Sequence, residues 1–299
     1  MGGKALVRLG YIDYLNLLPV YYGLETGRTS LDGVLVAGPP TRVNALYHRG
    51  LLDVAPISSI EYARGAGDDV LLPGLSVCAW GHVQSILLFS RRSPDRLNGA
   101  TVSFTASSAT SVALAQVLLR RYWRVEFKAR TDPPDLDRML AHADAALLIG
   151  DDALRAGLQV GALPWCEAAS SRRGFRQGEA LVVTDLGAVW WEYRRLPMIY
   201  AVFAAHGSEP SALEEAQESL HRSQAEAAAD TAGLLHLASD SRGFSPELVA
   251  SYLLGSIRHG LGPVERQGLL AFYQEAAAIG AIQAVPELRL AGAAARSAT

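Results

Sequence analysis

Two short segments rich in small hydroxyl side chains stand between a predicted strand and a predicted helix. One is Thr105–Ser111 (TASSATS), and the other is the pair Ser58 and Ser59. Free N–H groups at the start of a helix bind carboxylate or phosphate, and neighbouring hydroxyls add donors. Two such helix starts facing each other would suit a small ligand with an anionic group at each end. Either segment alone also fits a plain helix cap.

Three further polar residues lie at or near the ends of predicted strands. Asn16 stands at the mouth of strand one, Ser85 lies in the apolar run Val83–Ser90, and Asp151 follows the buried strand Ala145–Ile149. Ligands of α/β sheets bind at the carboxyl ends of the strands, so these positions are candidates for a site. Asn16 also fits a turn and Asp151 a helix cap, and Ser85 lacks the G-x-S-x-G context of a nucleophile elbow.

Metal and nucleotide sites find no support in the sequence. None of the seven histidines forms an H-E-x-x-H or similar ligand spacing, and His82 alone lies near the proposed cleft. Cys78 and Cys166 occupy no metal spacing, and Cys78 is expected to be a buried free thiol. Neither G-x-G-x-x-G nor a P-loop sequence is present. The residues therefore predict a site for a small anionic molecule, without metal or nucleotide.

Composition limits the partners and the compartment. The chain has 299 residues, 49% of them apolar, and a net charge of −3. This balance is typical of a globular protein and gives no general attraction to nucleic acid or anionic membranes. The N-terminus enters a strand without an apolar leader, and no apolar run approaches the ~18 residues of a membrane span. We expect a cytoplasmic protein with no nucleic-acid or membrane partner.

Alternating strands and helices predict an α/β fold with mainly parallel sheets. Three strand–helix units precede Leu71–Ser90, which is predicted to form two strands and to carry the chain into a second lobe. The alternation restarts near Thr101, and the apolar run Pro197–Ala204 returns the chain before a helical C-terminal segment. The predicted first lobe comprises 1–89 and 203–299, the second lobe comprises 90–202, and the ligand cleft lies between them.

Six segments together resemble one protein family. In chain order they are Gly10–Pro19 (GYIDYLNLLP), Gly50–Tyr62 (GLLDVAPISSIEY), Leu71–Val77 (LLPGLSV), Gly81–Ser85 (GHVQS), Ser108–Ser111 (SATS) and Leu147–Leu154 (LLIGDDAL). Their order and spacing are similar to those of the chorismate dehydratases of the futalosine route to menaquinone. The resemblance implies a type II periplasmic-binding-protein fold, in which two lobes are joined by a two-stranded hinge.

The same resemblance implies a reaction and the residues that carry it. The family removes water from chorismate to give 3-[(1-carboxyvinyl)oxy]benzoate, with no metal or cofactor. Asn16 and Ser85 would stand at the reacting centre, orient the substrate and hydrogen-bond the leaving hydroxyl or the developing negative charge. Asp151 would contact the substrate hydroxyl. The residues expected to bind the substrate carboxylates are Ser58, Ser59, Thr110 and Ser111.

Two other functions stay open at this point. A cyclase acting on dehypoxanthine futalosine would be expected to begin with a Ser-Pro-Cys-Pro-Asn-Asp-like segment, where this chain has Tyr14–Pro19 (YLNLLP). A solute-binding protein would share the fold, which does not fix function, but would be exported. Two segments depart from the family pattern: 157–183 is longer than expected, and Tyr193–Pro197 (YRRLP) replaces Thr-Gly-Leu-Pro. Both departures concern the rim of the second lobe.

Overall fold

The protein is described by a computed structural model that covers residues 6–65, 67–163, 170–176, 178–206 and 210–292. Cys166 and the end of the Ala-rich tail lie outside the described residues. Within them, strands form two six-stranded sheets and helices cover their faces. No helix in these ranges is both long and apolar enough to cross a membrane.

The first sheet is built mainly by the first part of the chain. Its strands are β1 (Val7–Tyr11), β2 (Gly33–Ala37), β3 (Val54–Ser58), β4 (Val70–Ala79), β11 (Met198–Ala205) and β12 (Ile257–Arg258), in the order β12-β4-β11-β3-β1-β2. The helices between the early strands are α1 (Leu18–Glu25), α2 (Pro40–His48) and α3 (Ser59–Gly65). Pro19 and Pro40 stand in the first turns of α1 and α2, where the missing N–H has no cost.

The second sheet is built by the middle of the chain. Its strands are β5 (Ile86–Ser90), β6 (Thr101–Thr105), β7 (Lys128–Asp132), β8 (Ala145–Ile149), β9 (Ser171–Arg176) and β10 (Glu179–Asp185), in the order β7-β6-β8-β5-β10-β9. Its helices are α4 (Ala109–Val117), α5 (Leu136–His142), α6 (Gly150–Gln159) and α7 (Leu186–Arg194). The apolar strands β5 and β8 are buried throughout and lie in the centre, as expected for strands covered on both faces.

The C-terminal region is helical, as the sequence predicts. It contains α8 (Pro210–Ala229), α9 (Thr231–Arg242), α10 (Pro246–Ala250) and α11 (Pro263–Ala278). After α10 the chain widens into a π-type segment, Ser251–Ser256, before β12. Ser245 caps α10 by accepting a hydrogen bond from the N–H of Leu248. In this region, α8 packs against α1 and β1, and α11 packs against β11, so it covers the first sheet.

Both sheets mix parallel and antiparallel pairs. The early strands of each sheet pair in parallel, β1 with β2 and β3, and β6 with β7 and β8. The expectation of mainly parallel sheets holds only for these units. The strands next to the passages between the sheets, β5, β10 and β11, pair antiparallel with their neighbours, because the chain enters each sheet from the opposite end.

The passages between the sheets lie a few residues from the predicted positions. β5 pairs with β8 and β10, so residues 86–89 belong to the second sheet rather than to the first lobe. β11 pairs with β3 and β4, so residues 198–202 belong to the first sheet. The chain therefore leaves the first sheet at 80–85, not near Ser90. An apolar strand predicts burial but not which sheet it joins, and this explains the displacement.

Two local predictions for the second sheet were wrong. The segment predicted as an exposed loop, Ser170–Gly174, contributes to β9, which pairs antiparallel with β10 at the sheet edge. The strand predicted at Val125–Lys128 lies later, at Lys128–Asp132. Both are edge strands with exposed polar residues, so they lack the apolar alternation by which strands are recognised.

The hydrophobic core extends across both sheets. Ile86 and Leu88 of β5 belong to the large core cluster shared with the first sheet. Leu87 and Phe89 belong to a smaller cluster that packs with α5 and α6 on the other face. This division follows from the two-residue period of a strand. Cys78 is a buried free thiol, as predicted.

Candidate active site

A cleft lies between the two sheets, where the ends of β1 and β3 face the ends of β5 and β8. Four of the predicted site residues line it: Asn16, Ser58, Ser85 and Ser111. The described residues that line it are Ile12, Tyr14, Asn16, Leu17, Pro40, Pro56, Ser58, Val77, Ser85, Ile86, Ser108, Ser111, Ile149, Gly150, Tyr200 and Ala201. None of these lining residues is charged at neutral pH. An anionic ligand would therefore be held by hydroxyls, amides and backbone N–H groups.

Asn16 is positioned by its backbone and keeps its side-chain oxygen unpaired. It lies in the turn Leu15–Leu17 that follows β1, and its carbonyl oxygen lies 2.7 Å from His259 Nε2. Burial lowers the pKa of His259, so the neutral imidazole donates this hydrogen bond. Asn16 Oδ1 is buried and has no hydrogen-bond partner in the described part of the chain. A buried amide oxygen without a partner is a group that a ligand would satisfy.

Ser85 ends the passage from the first sheet to the second. Its carbonyl accepts from Gly150 N at 2.7 Å, and its hydroxyl accepts from Tyr252 Oη at 2.8 Å. The preceding residue, Gln84, has φ +59°, an unusual value for a residue with a side chain. The side-chain nitrogen of Gln84, Nε2, donates hydrogen bonds to Ser251 and, at 2.8 Å, to Ser256 Oγ. These bonds compensate for the backbone strain.

The carboxylate of Asp185 fixes the approach to Ser85. It is fully buried and accepts hydrogen bonds from Gln84 N at 2.7 Å, from Val83 N and from Ala188 N at 3.0 Å. The hydrogen bond from Ala188 N makes Asp185 the N-cap of α7, as the sequence predicts. Several N–H donors stabilise a buried carboxylate strongly, so this cap also anchors the chain passage.

Ser58 and Ser111 reach the cleft from opposite sheets. Ser58 exchanges two hydrogen bonds with Asn44: its N–H donates to Oδ1 at 3.1 Å and its Oγ accepts from Nδ2 at 3.2 Å. Ser111 Oγ accepts from Ser108 Oγ at 3.0 Å, and Ser108 caps α4 through Ser111 N. Each site hydroxyl thus accepts from a protein donor and keeps its own proton for a ligand.

Ser59 and Thr110 are not among the residues that line the cleft. Ser59 Oγ donates to the carbonyl of Ile199 at 2.7 Å and lies 3.3 Å from Thr110 Oγ1. Thr110 Oγ1 accepts from the N–H of Ile60 at 3.2 Å, and both side chains are fully buried. These two hydroxyls therefore join α3 to α4 behind the cleft.

Asp151 also lies beside the cleft rather than along it. Its Oδ1 accepts from the N–H of Leu15 at 3.2 Å, and its Oδ2 lies 3.8 Å from Arg242 Nε. Burial raises the pKa of Asp151, and the guanidinium of Arg242 partly offsets this. Asp151 therefore holds the turn that carries Asn16 from the side of the second sheet.

Sequence reasoning missed several residues of the site. Tyr14 and Gly150 stood inside quoted motifs, and the close approach of the Tyr14 ring to Gly150 explains why both are in the lining. Tyr200 lines the cleft from β11, while its hydroxyl lies against Gly187. Tyr252 and His259 come from the helical C-terminal region, and nothing in their local sequence signals a role. His82, predicted near the cleft, is not one of the lining residues, and its ring nitrogen lies 3.8 Å from Asp185.

The described residues hold no cluster of three or more His, Cys, Asp or Glu side chains arranged to bind a metal ion. Two α/β sheets joined by two chain passages, with a cleft between them that is lined by apolar side chains and a few hydroxyl and amide groups, define a protein of the periplasmic-binding-protein-like class. The solved structures support this fold. A protein of Archaeoglobus fulgidus matches with a TM-score of 0.73 at 18% identity, covering 92% of this chain and 98% of that one. The alkanesulfonate-binding protein of Xanthomonas axonopodis pv. citri matches with a TM-score of 0.64 at 15% identity, covering 97% and 98%.

Sequence comparison identifies the particular family. The family model described as menaquinone biosynthesis matches residues 7–278, and the chain belongs to this family. A chorismate dehydratase of Thermus thermophilus is 32% identical over 278 residues, which are 88% of this chain and 93% of the relative. A chorismate dehydratase of Campylobacter jejuni is 29% identical over 202 residues, covering 65% and 66%. The family and fold predicted from the six sequence segments are confirmed.

Proposed function

We propose that this protein is a chorismate dehydratase of menaquinone biosynthesis that acts in the cytoplasm. The observation that carries the proposal is the match to a chorismate dehydratase at 32% identity over 88% of the chain. The site agrees with it, because Asn16 follows β1 of the first sheet, Ser85 directly precedes β5 of the second, and both line one cleft. The product is 3-[(1-carboxyvinyl)oxy]benzoate, as the family resemblance implies.

The reaction removes a ring proton and the ring hydroxyl from chorismate. The electrons of the broken C–H bond form the third double bond of the ring, the C–O bond breaks, and the hydroxyl leaves as water. Aromaticity makes the step strongly downhill, so the enzyme must chiefly position groups and stabilise the departing oxygen. The hydroxyl of Ser85 and the amide of Asn16 supply hydrogen bonds at that centre.

The proton acceptor is assigned to the substrate. Among the described residues that line the cleft, none is a carboxylate, histidine or lysine that could act as a strong base. The enolpyruvyl carboxylate of chorismate takes the ring proton and then gives it to the departing hydroxyl, so that water leaves and the carboxylate is restored. The uncharged cleft favours this because it places no competing charge beside that carboxylate. Ser58 and Ser111 bind the substrate carboxylates through their free hydroxyl protons. Ser59, Thr110 and Asp151 support the site through the contacts between the sheets.

The two sheets are proposed to act as two lobes that separate to admit chorismate. The passages at 80–85 and near Met198 would serve as the hinge. The hydrogen bonds between α3 and α4, and from Leu15 to Asp151, would hold the closed arrangement.

The test is to incubate the purified full chain with chorismate, without added metal or nucleotide, and to follow the products by mass spectrometry and ultraviolet absorption. We expect a product lighter by one water with an aromatic spectrum. Unchanged chorismate, from protein shown to be folded by circular dichroism, would refute the proposal. A thermal-shift screen with dehypoxanthine futalosine and chorismate would then separate a cyclase from a binding protein.

A further inference from the structure

Tyr252 reaches the candidate site from a part of the chain that carries none of the quoted motifs. It lies in the π-type segment Ser251–Ser256, and its side chain is 1% exposed. Its hydroxyl donates to Ser85 Oγ at 2.8 Å. Burial raises the pKa of Tyr252 far above its usual range, and the hydrogen bond with Ser85 only partly offsets this. The phenol is therefore protonated and acts as a donor throughout the range in which an enzyme would work.

The direction of this hydrogen bond determines what Ser85 can do. A serine hydroxyl has one proton and two lone pairs. Because Tyr252 donates to one lone pair, the Ser85 proton is not used by this contact. In the described part of the chain, Tyr252 is the one hydrogen-bond partner of Ser85 Oγ. The Ser85 hydroxyl can therefore donate its proton to a ligand bound in the cleft that Ser85 lines.

We propose that Tyr252 is a positioning residue of the dehydration, which holds the Ser85 hydroxyl so that its proton points at the departing oxygen of the substrate. This inference rests on the proposed function. Without the phenol, the Ser85 hydroxyl can rotate and offer its proton elsewhere. Tyr252 lies in a π-type segment, and such segments are frequent at functional sites, so its position agrees with this role.

The first variant is Tyr252→Phe, which removes one oxygen atom. We expect kcat for chorismate to fall about 10- to 100-fold with KM changed less than about threefold, because the substrate still binds while the donor is misdirected. The matched control is Tyr21→Phe. Tyr21 is also fully buried and also donates a 2.8 Å hydrogen bond, but to the carbonyl of Gly10. The control is expected to lose stability and to keep its kcat.

A double-mutant cycle with Ser85→Ala distinguishes positioning from a general structural role. If Tyr252 acts through Ser85, Ser85→Ala/Tyr252→Phe is as active as Ser85→Ala alone. The double variant removes both partners of the hydrogen bond, so it leaves no buried group unpaired and remains measurable even if Tyr252→Phe does not fold. A double variant more than about fivefold slower than Ser85→Ala would overturn the proposal, because the two effects would then be independent.

The wild-type chain is assayed first. An active wild type with unchanged kcat in Tyr252→Phe overturns this inference and leaves the proposed function intact. An inactive wild type refutes the function and, with it, the role given to Tyr252.

Discussion

The side chain of Asp151, on the second sheet's helix α6, accepts a hydrogen bond from the N–H of Leu15, which follows β1 of the first sheet. The N···O distance is 3.2 Å, and the next residue along the chain is Asn16. Asp151 therefore orients the loop that presents a candidate catalytic amide, and its contact with the substrate hydroxyl stays a prediction.

This relationship predicts different behaviour for two substitutions of Asp151. Asp151→Ala leaves the N–H of Leu15 unpaired and should lower kcat/KM by about tenfold, the equivalent of about 1.4 kcal/mol. Asp151→Asn keeps an oxygen acceptor and should retain most of the activity. Steady-state kinetics with chorismate measure both, with Asp152→Ala in the same helix as the control. Equal losses in the Ala and Asn variants would point to the charge, and thus to direct contact with substrate.

Removal of either candidate catalytic group should slow turnover strongly without unfolding the protein. Asn16→Ala and Ser85→Ala are each expected to lower kcat by about 10²- to 10³-fold, the usual loss for one preorganised donor. Thermal unfolding of Asn16→Ala should shift little, because Asn16 Oδ1 has no partner to lose. Ser85→Ala leaves the buried Tyr252 hydroxyl without its acceptor and should lose about 1 to 3 kcal/mol of stability. The exposed Asn98→Ala is the matched control. Full turnover by Asn16→Ala would remove Asn16 from the reacting centre.

A side chain at Gly150, the glycine after β8, should lower both the stability and the activity of the protein. Gly150 has φ +58°, and a Cβ there would lie 3.1 Å from a ring carbon of Tyr14. Gly161 also has a positive φ, +73°, with open space around its Cβ position. Ala at either position should cost about 1 to 2 kcal/mol of stability from backbone strain. Only Gly150→Ala should also displace Tyr14 and lower kcat/KM. Urea unfolding and kinetics on both variants test this, and equal activities would contradict it.

The hydroxyl of Thr110 should matter for stability more than for substrate affinity. Thr110→Val leaves the N–H of Ile60 without an acceptor inside the protein, which should cost about 1 to 3 kcal/mol. Thr110→Ser keeps the acceptor and should cost less. Chemical denaturation measures the first effect and KM for chorismate measures the second. A large rise in KM at unchanged stability would restore the sequence-based expectation that Thr110 binds a carboxylate.

The buried His259 should make the protein less stable in mild acid. Burial lowers its pKa in the folded state, whereas in the unfolded chain the pKa is about 6.5. Below that pH the unfolded state binds a proton that the folded state does not. The free energy of unfolding therefore decreases as the pH falls, by no more than about 1.4 kcal/mol per pH unit for this group.

Urea unfolding between pH 8 and pH 5 tests this for His259→Gln, in which an amide can still donate to the carbonyl of Asn16. The pH dependence of stability should be weaker than in the wild type. The control is His236→Gln, since His236 is an exposed residue whose side chain is 79% accessible. Identical pH profiles for wild type and His259→Gln would show that this histidine does not titrate as described.

Much of the fold could be predicted because its signals are local. Buried apolar runs predict β5 and β8, and Pro or Asp at helix starts predicts α1, α10 and α7. The edge strands β7 and β9 were misplaced or missed because their exposed polar residues carry no such pattern. Ser85 lines the cleft, yet the strand that follows it, β5, was assigned to the first lobe although it pairs within the second sheet.

The sequence by itself determined the family, the kind of fold and four of the polar residues that line the cleft. Only the tertiary structure decided which hydroxyls face a ligand and which join the two sheets, as it separates Ser58 from Ser59 and Ser111 from Thr110. It also brought Tyr252 and His259 to the site across 167 and 243 residues of sequence. The physical reason is that caps and periodicity depend on neighbours along the chain. Contacts such as these depend on strand pairing and helix packing between distant segments, which local patterns do not encode.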